Sequence, residues 1–199
     1  PEFNAFSDAR IKNIKGISDH KQDLEILAKI EITDYTLKDS ISKGNKTYKK
    51  VIAQQVEKVY SNAVSTMTDV IPDIYKLSEI KDGFITLENC SLKVGEKVKL
   101  IFDKKQELAE VKTITENGFT IDKTIADGNV FIFGREVNDF HTVDYEALST
   151  LNISATQELY KRIQDLEAEN VQLKEANNNK ADKTEITELK AQIDALKSL

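Results

Sequence analysis

The chain has one cysteine, Cys90, and two histidines, His20 and His141, among 199 residues. A single cysteine excludes an intramolecular disulfide framework, and no paired cysteine or histidine spacing is present to ligate zinc. Neither a metal nor a cofactor is expected. No stretch approaches the ~20 consecutive apolar residues that a membrane-spanning helix needs, and the first residues do not read as a signal peptide. Lysine and arginine are not clustered and the formal net charge is −6. That argues against a nucleic acid partner, because phosphate neutralisation needs a basic face. The glycine-rich phosphate loops GxGxxG and GxxxxGK[ST] are missing as well. Most metal-, nucleotide- and membrane-dependent functions are thereby set aside.

What is present falls into segments of distinct character. Pro1-Glu2-Phe3 reads as a cloning scar, and residues 1–6 as an upstream stub. Up to residue 79 the pattern is mixed α/β. In HKQDLEILAKI, Leu24, Ile26, Leu27 and Ile30 suit one helical face, and KKVIAQQVEKVYSNAV over 49–64 predicts a second helix. Between them EITDYTLKD alternates as a strand does. Residues 80–137 hold most of the glycines. Asp82-Gly83, Asn117-Gly118 and Asp127-Gly128 are turn signals, separated by short alternating runs such as Val98, Leu100 and Phe102. Five or six such strands predict a small barrel or curled sheet. Its aromatics Phe84, Phe102, Phe119, Phe131 and Phe133 are expected to pack in the core.

From Tyr145 the pattern is helical. Leu148, Leu151, Ala155, Leu159, Ile163, Leu166, Asn170, Leu173 and Asn177 are spaced by threes and fours. In the second half Ile163, Asn170 and Asn177 occupy a positions, and Leu159, Leu166 and Leu173 occupy d positions. A stripe this narrow on a charged helix suits copies of itself better than a globular core. Buried a-position asparagines weaken such a seam but set register and strand number. The ANNNKADKTE stretch breaks the seam near Asn177–Asn179. A second helix is expected from a cap at Asp182, with Ile186, Leu189, Ile193 and Leu196 on one face.

The most chemically suggestive stretch is FSDARIK, Phe6 to Lys12. A serine hydroxyl needs a base, and with no histidine nearby the local candidate is lysine. Ser7 and Lys12 stand five apart, so a turn has to bring the amine back to Oγ. Arg10 is placed to support an oxyanion or the lysine's neutral form. On spacing alone the plainer reading is that Ser7 or Asp8 caps a turn beginning near Ala9.

The stretch does not stand alone. SDARIKNI at 7–14, VIAQQVEKVY at 51–60, TVDYEALS at 142–149 and ELYKRIQDLEAEN at 158–170 follow in one order. This series resembles the intramolecular chaperone domain of the endosialidase type, found at the C-termini of phage tailspikes, tail fibres and neck appendages and in myelin regulatory factor. The resemblance covers residues 7–79 and 138–175. Gln55 and Ser61 depart from it, standing where the family usually has glutamate and proline.

Residue patterns and resemblance together give an expected α+β fold: a small mixed domain carrying the inserted barrel-like segment, which is not part of the family's minimal domain, followed by a long trimeric coiled-coil helix and a short terminal helix. The expected organisation is a chaperone and auto-processing core at 7–79 and 138–150, an insertion at 80–137, a coiled-coil helix at 151–179 and a terminal helix at 182–199. The implied function is a homotrimeric, self-cleaving serine endopeptidase that templates an upstream β-stranded fibre of the same polypeptide and then releases itself. Ser7 is the implied nucleophile and Lys12 the base, with Asp8 and Arg10 in support and Leu159, Ile163, Leu166, Asn170, Leu173 and Asn177 forming the trimer seam. The family's scissile bond would be Ser7–Asp8. Attack by Ser7 Oγ on its own carbonyl closes a four-membered ring, however, whereas attack on the Phe6 carbonyl closes a five-membered one. Both Ser7–Asp8 and Phe6–Ser7 therefore stay open. The implied setting is the host cytoplasm during virion assembly, with the domain attached to or released from a tail fibre. The competing readings are a permanent, non-cleaving trimer tip or receptor-binding module and an ordinary coiled-coil adaptor.

Overall fold

The computed structural model describes residues 7–102, 105–178 and 183–198. Contacts divide the chain into two units, one from residues 29–148 and one from residues 1–28 with 149–199.

The unit from 29–148 is built around a closed barrel. Its strands are β4 (Lys76–Lys81), β5 (Phe84–Thr86), β6 (Lys97–Phe102), β7 (Lys105–Thr115), β8 (Gly118–Ile121) and β9 (Gly128–Val143). They pair antiparallel in the order β4-β5-β8-β7-β6-β9, and β9 pairs again with β4 to close the ring. The first half of β9 thus has a partner on each side: Ile132 faces Lys76 on β4 and Leu100 on β6. Closure removes the unpaired edges that an open sheet would leave. Beyond the barrel, the second half of β9 pairs with β3 (Val64–Val70), from Val64↔Val143 to Val70↔Glu136.

The hairpins follow the glycine signals. Asp82 and Gly83 both take positive φ, 51° and 76°, between β4 and β5, as a tight hairpin turn requires. Gly134 meets a different demand. A Cβ there would lie 1.9 Å from the Ile71 carbonyl oxygen, so only glycine lets the 71–73 loop close onto β9. Asp73 then receives the Arg135 backbone N–H at 3.0 Å and the Arg135 Nε at 2.6 Å.

Alternation sorts the barrel's residues, though not as the aromatics suggested. The core is Ile80, Ile85, Leu87, Leu92, Val98, Leu100, Ala109, Val111, Phe119, Val130 and Ile132. Of the five, Phe119 is fully inside and the half-buried Phe102 packs against the core, whereas Phe84, Phe131 and Phe133 are only half-buried. The reason is register. Val130, Ile132 and Gly134 point inward, so Phe131 and Phe133 are carried to the outer wall. There they meet Tyr75 edge-on, with ring centroids 4.9 and 5.9 Å away. The Tyr75 hydroxyl donates to Asp39 at 2.9 Å and accepts from the Ile41 N–H at 3.0 Å. This pins the short helix α2 (Ser40–Lys43) beside the wall, with an open cavity of about 520 Å³ between them.

The helix expected over 49–64 is a second correction. Tyr48–Lys50 is strand β2, paired with β1 (Thr33–Tyr35), and helix α3 covers only Ala53–Glu57. A 3₁₀ turn at Ser61–Ala63 leads straight into β3. β-branched Val51 and Ile52 favour extended backbone. Ile52 stands at the N-cap with no side-chain acceptor to start a helix earlier.

In the other unit, helix α1 (His20–Leu27) is capped by Asp19, which accepts from the Lys21 and Gln22 N–H groups. Helix α4 (Tyr145–Asn178), whose first residues still belong to the 29–148 unit, begins at Asp144, whose carboxylate accepts from the Glu146 and Ala147 N–H groups at 2.8 and 3.1 Å. Helix α5 covers Lys183–Lys197; the cap expected at Asp182 lies outside the described residues. Along α4 only Leu151, Ser154 and Ala155 are buried. The fold is therefore α+β with a six-stranded barrel and a long C-terminal helix.

Candidate functional site

The stretch from Ser7 to Lys12 is organised by Asp8. Its backbone is extended at φ −66°, ψ 131°, and its carboxylate accepts the Arg10 N–H at 2.8 Å, capping a 3₁₀ turn over Ala9–Ile11. The Lys12 N–H closes the turn onto the Ala9 carbonyl at 3.1 Å. The chain then leaves in extended form with Lys12 folded back, so that its Nζ donates to Ser7 Oγ at 2.7 Å. The turn that a five-residue separation requires is this one. Capping and the serine–lysine contact coexist, the first producing the second.

Arg10 is held by Asp8 as well. Its Nε lies 3.0 and 3.1 Å from the two carboxylate oxygens and its Nη2 2.6 Å from one of them. The hydrogen bond from this guanidinium, with the Arg10 N–H behind it, holds the Asp8 carboxyl below the ordinary aspartate range; Asp8 in turn raises Arg10. The positive charge that could face Lys12 or an oxyanion is thus largely compensated by its neighbour. The whole stretch is exposed, Ile11 at 69%, as are Ile14 and Ile17 after it, at 75% and 89%.

A hydroxyl and an amine in hydrogen-bond contact are the minimum for nucleophilic attack with a lysine base. The contact is drawn with the amine as donor; as a base it must shed that proton and accept the serine's. Of the two candidate bonds, Ser7–Asp8 enters the cap itself, while Phe6–Ser7 begins outside the described residues.

The seam residues Leu159, Ile163, Leu166, Asn170, Leu173 and Asn177 lie along α4, and all are exposed. Asn170 turns its amide to the Leu166 carbonyl of its own helix at 3.2 Å. Nothing in the chain covers this stripe among the described residues. His141 belongs to the barrel unit, where its Nε2 lies 3.2 Å from Glu57 and its buried Nδ1 has no hydrogen-bond partner among the described residues. Gln55 donates to Glu31 at 2.9 Å and accepts from Thr33 at 3.0 Å.

One cluster has no counterpart in the sequence reading. Ser154 on α4 is 8% exposed and donates to Asp23 Oδ2 at 2.5 Å; His20 Nδ1 lies 2.7 Å from the same hydroxyl, and Ser18 donates to the same carboxylate oxygen at 2.6 Å. Ser154 stands more than 130 residues from the other three members, so no local spacing announces the cluster. Among the described residues no group of three or more His, Cys, Asp or Glu is placed to hold a metal, and no helix is long and apolar enough to cross a membrane.

Compared with known families, residues 7–65 match the peptidase-class family model described as the chaperone of endosialidase. The match takes in the Ser7–Lys12 turn, α1, the β1–β2 ribbon and α3. Among curated proteins nothing matches the chain.

Proposed function

From the premise that residues 7–65 carry an endosialidase-type chaperone domain, we propose that the chain acts as the intramolecular chaperone of a longer fibrous polypeptide. In this reading it trimerises, templates an upstream β-stranded fibre, and then cuts itself free beside Ser7. The observation that carries the reading is the 2.7 Å contact between Lys12 Nζ and Ser7 Oγ inside the matched segment.

The chemistry is a single turnover. Lys12, once neutral, takes the proton from Ser7 Oγ as the oxygen adds to the carbonyl carbon of the scissile peptide. The proton passes to the departing amine, and water then hydrolyses the serine ester. A protein surface closing over the exposed turn would favour the uncharged amine by removing water. Association of chains is a natural source of such a surface. The seam on α4 supports it: an a/d stripe that the chain leaves bare gains burial by facing copies of itself.

Trimerisation also supplies the chaperone action. Triple-stranded β folds rely on non-local pairing and start slowly, because loop closure costs entropy before contacts form. Holding three C-termini together makes the later encounters effectively intramolecular. Cutting removes the template and leaves the fibre kinetically trapped. Such a domain would work where the virion assembles, in the host cytoplasm.

The cap at Asp8 gives the stretch a structural use without cleavage, which is what a permanent trimer tip would need. Expression with the native upstream stalk, followed by intact mass and light scattering, separates the two. Proteolysis predicts a mass break at Phe6–Ser7 or Ser7–Asp8 in a homotrimer. A single uncut trimeric species with wild-type Ser7 would leave the tip reading standing.

A further inference from the structure

The cluster formed by Ser18, His20, Asp23 and Ser154 contains a serine, a histidine and an aspartate, but in an order that excludes hydrolysis. In a catalytic triad the imidazole stands between hydroxyl and carboxylate. Here the hydroxyl stands in the middle. Ser154 has one proton, and the carboxylate 2.5 Å away can only accept it. The ring nitrogen 2.7 Å from Ser154 Oγ must therefore donate, which puts the imidazole proton on Nδ1. The serine's proton is committed to Asp23 and its lone pair to His20, so Ser154 is not a nucleophile. Protonating the ring at Nε2 leaves this Nδ1 donor in place.

What the cluster does is fasten. Among the described residues, every hydrogen bond made by residues 7–17 stays within 7–12. The first residue after Ser7 tied to distant chain is Ser18, through Asp23 to Ser154 on α4. The eleven residues from Ser7 to Ser18 reach at most about 36–40 Å, so the root of this arm decides what volume the reactive turn can sample. Fixing the root raises the effective concentration of the turn at whatever surface receives it.

We propose that Ser154, Asp23 and His20 are positioning residues for the cleavage at Ser7, anchoring the reactive arm to the same helix that carries the seam. The inference rests on the self-cleavage reading above. It makes α4 both the self-association element and the post on which the arm is mounted.

The test follows cleavage over time, by intact mass, in the polypeptide bearing its upstream stalk. Ser154→Ala removes the hydroxyl and is expected to slow cutting about tenfold or more, while the oligomeric mass is unchanged. Ser154→Thr keeps the hydroxyl and His20→Asn keeps a donor at the Nδ1 position; both should return most of the rate. Hydrogen exchange over residues 18–24, read in the same samples, should quicken in Ser154→Ala alone. Ser154→Ala cut as fast as wild type would overturn the inference and leave the cleavage reading intact. Equal slowing by Ser154→Ala and Ser154→Thr, or loss of the oligomer in step with the rate, would reduce the cluster to ordinary packing and also overturn it. An uncut wild type would sink the cleavage reading and the inference with it.

Discussion

The two units of this chain are finished to different degrees. In the unit from 29–148, eleven clustered side chains of the barrel are between 0% and 6% exposed, and the sheet closes on itself. In the unit from 1–28 and 149–199, burial among the described residues is confined to Leu151, Ser154 and Ala155. Leu24, Ile26 and Leu27 on α1 are half-buried, while Ile11, Ile14, Ile17, Leu159, Ile163, Leu166 and Leu173 are exposed. A barrel that supplies its own core needs no partner to be stable. A helical unit with a bare a/d stripe would gain burial by associating, each fully covered leucine or isoleucine contributing roughly 1.5–3 kcal/mol. On the proposed reading the contrast divides the labour: one part supplies its own core, and the other would be completed by copies.

The sharpest way to probe that division removes chemistry from the unfinished unit without touching its seam. Ser7→Ala and Lys12→Ala should each abolish cutting completely, read by intact mass, while light scattering still reports the oligomer. Failure of either variant to associate would make the pair structural. Next in size, Ile163→Asp or Leu166→Asp places a carboxylate on the stripe. The oligomer should fall to monomer in sedimentation, with the barrel's own melting transition unmoved. If the barrel melts earlier as well, the two units are not independently stable.

The reciprocal change is Phe119→Ala, which empties the barrel's largest buried side chain. It should destabilise the barrel by about 3–5 kcal/mol in denaturant melts and leave self-association of the helical unit in place. The smallest effect concerns Asp8. Its carboxyl titrates below the ordinary aspartate range because of Arg10. Whatever the cap contributes is therefore fully present above the unfolded aspartate's value and is lost as pH falls through the lowered folded one. Carboxyl NMR should show Asp8 titrating on the acid side of a free aspartate, and Arg10→Ala should move it back.

Much of the barrel was legible in the sequence because hairpins carry local signals: Asp82-Gly83 forms the turn its residues suggest, and Val98, Leu100, Val130 and Ile132 alternate into the core. The face given to the aromatics was not legible. Alternation separates two faces without saying which is inside, and Val130 and Ile132 took the inner one from Phe131 and Phe133. The apolar spacing over 49–64 fits a helix as well as a strand, and the β1–β2 pairing that claims Tyr48–Lys50 is non-local. At FSDARIK, spacing alone makes Ser7 and Lys12 an accidental pair; the ordered motifs around them carry the reading. The Asp23–Ser154–His20 cluster was beyond reach, since nothing local marks a serine that meets its partners across more than 130 residues.

The long strand β9 also has a bearing on timing. Val64, at the end of the matched segment, pairs with Val143, so that pairing waits for all the chain between them to be made. At ~5–20 residues per second during synthesis, that interval is on the order of 4–16 seconds. In those seconds the barrel's hairpins β4–β5, β6–β7 and β7–β8 can already form, because they need only near neighbours. The barrel then behaves as a clock built into the chain. The β3–β9 ribbon, and with it the start of the helix that carries the seam, cannot be completed until the barrel's last strand has been made.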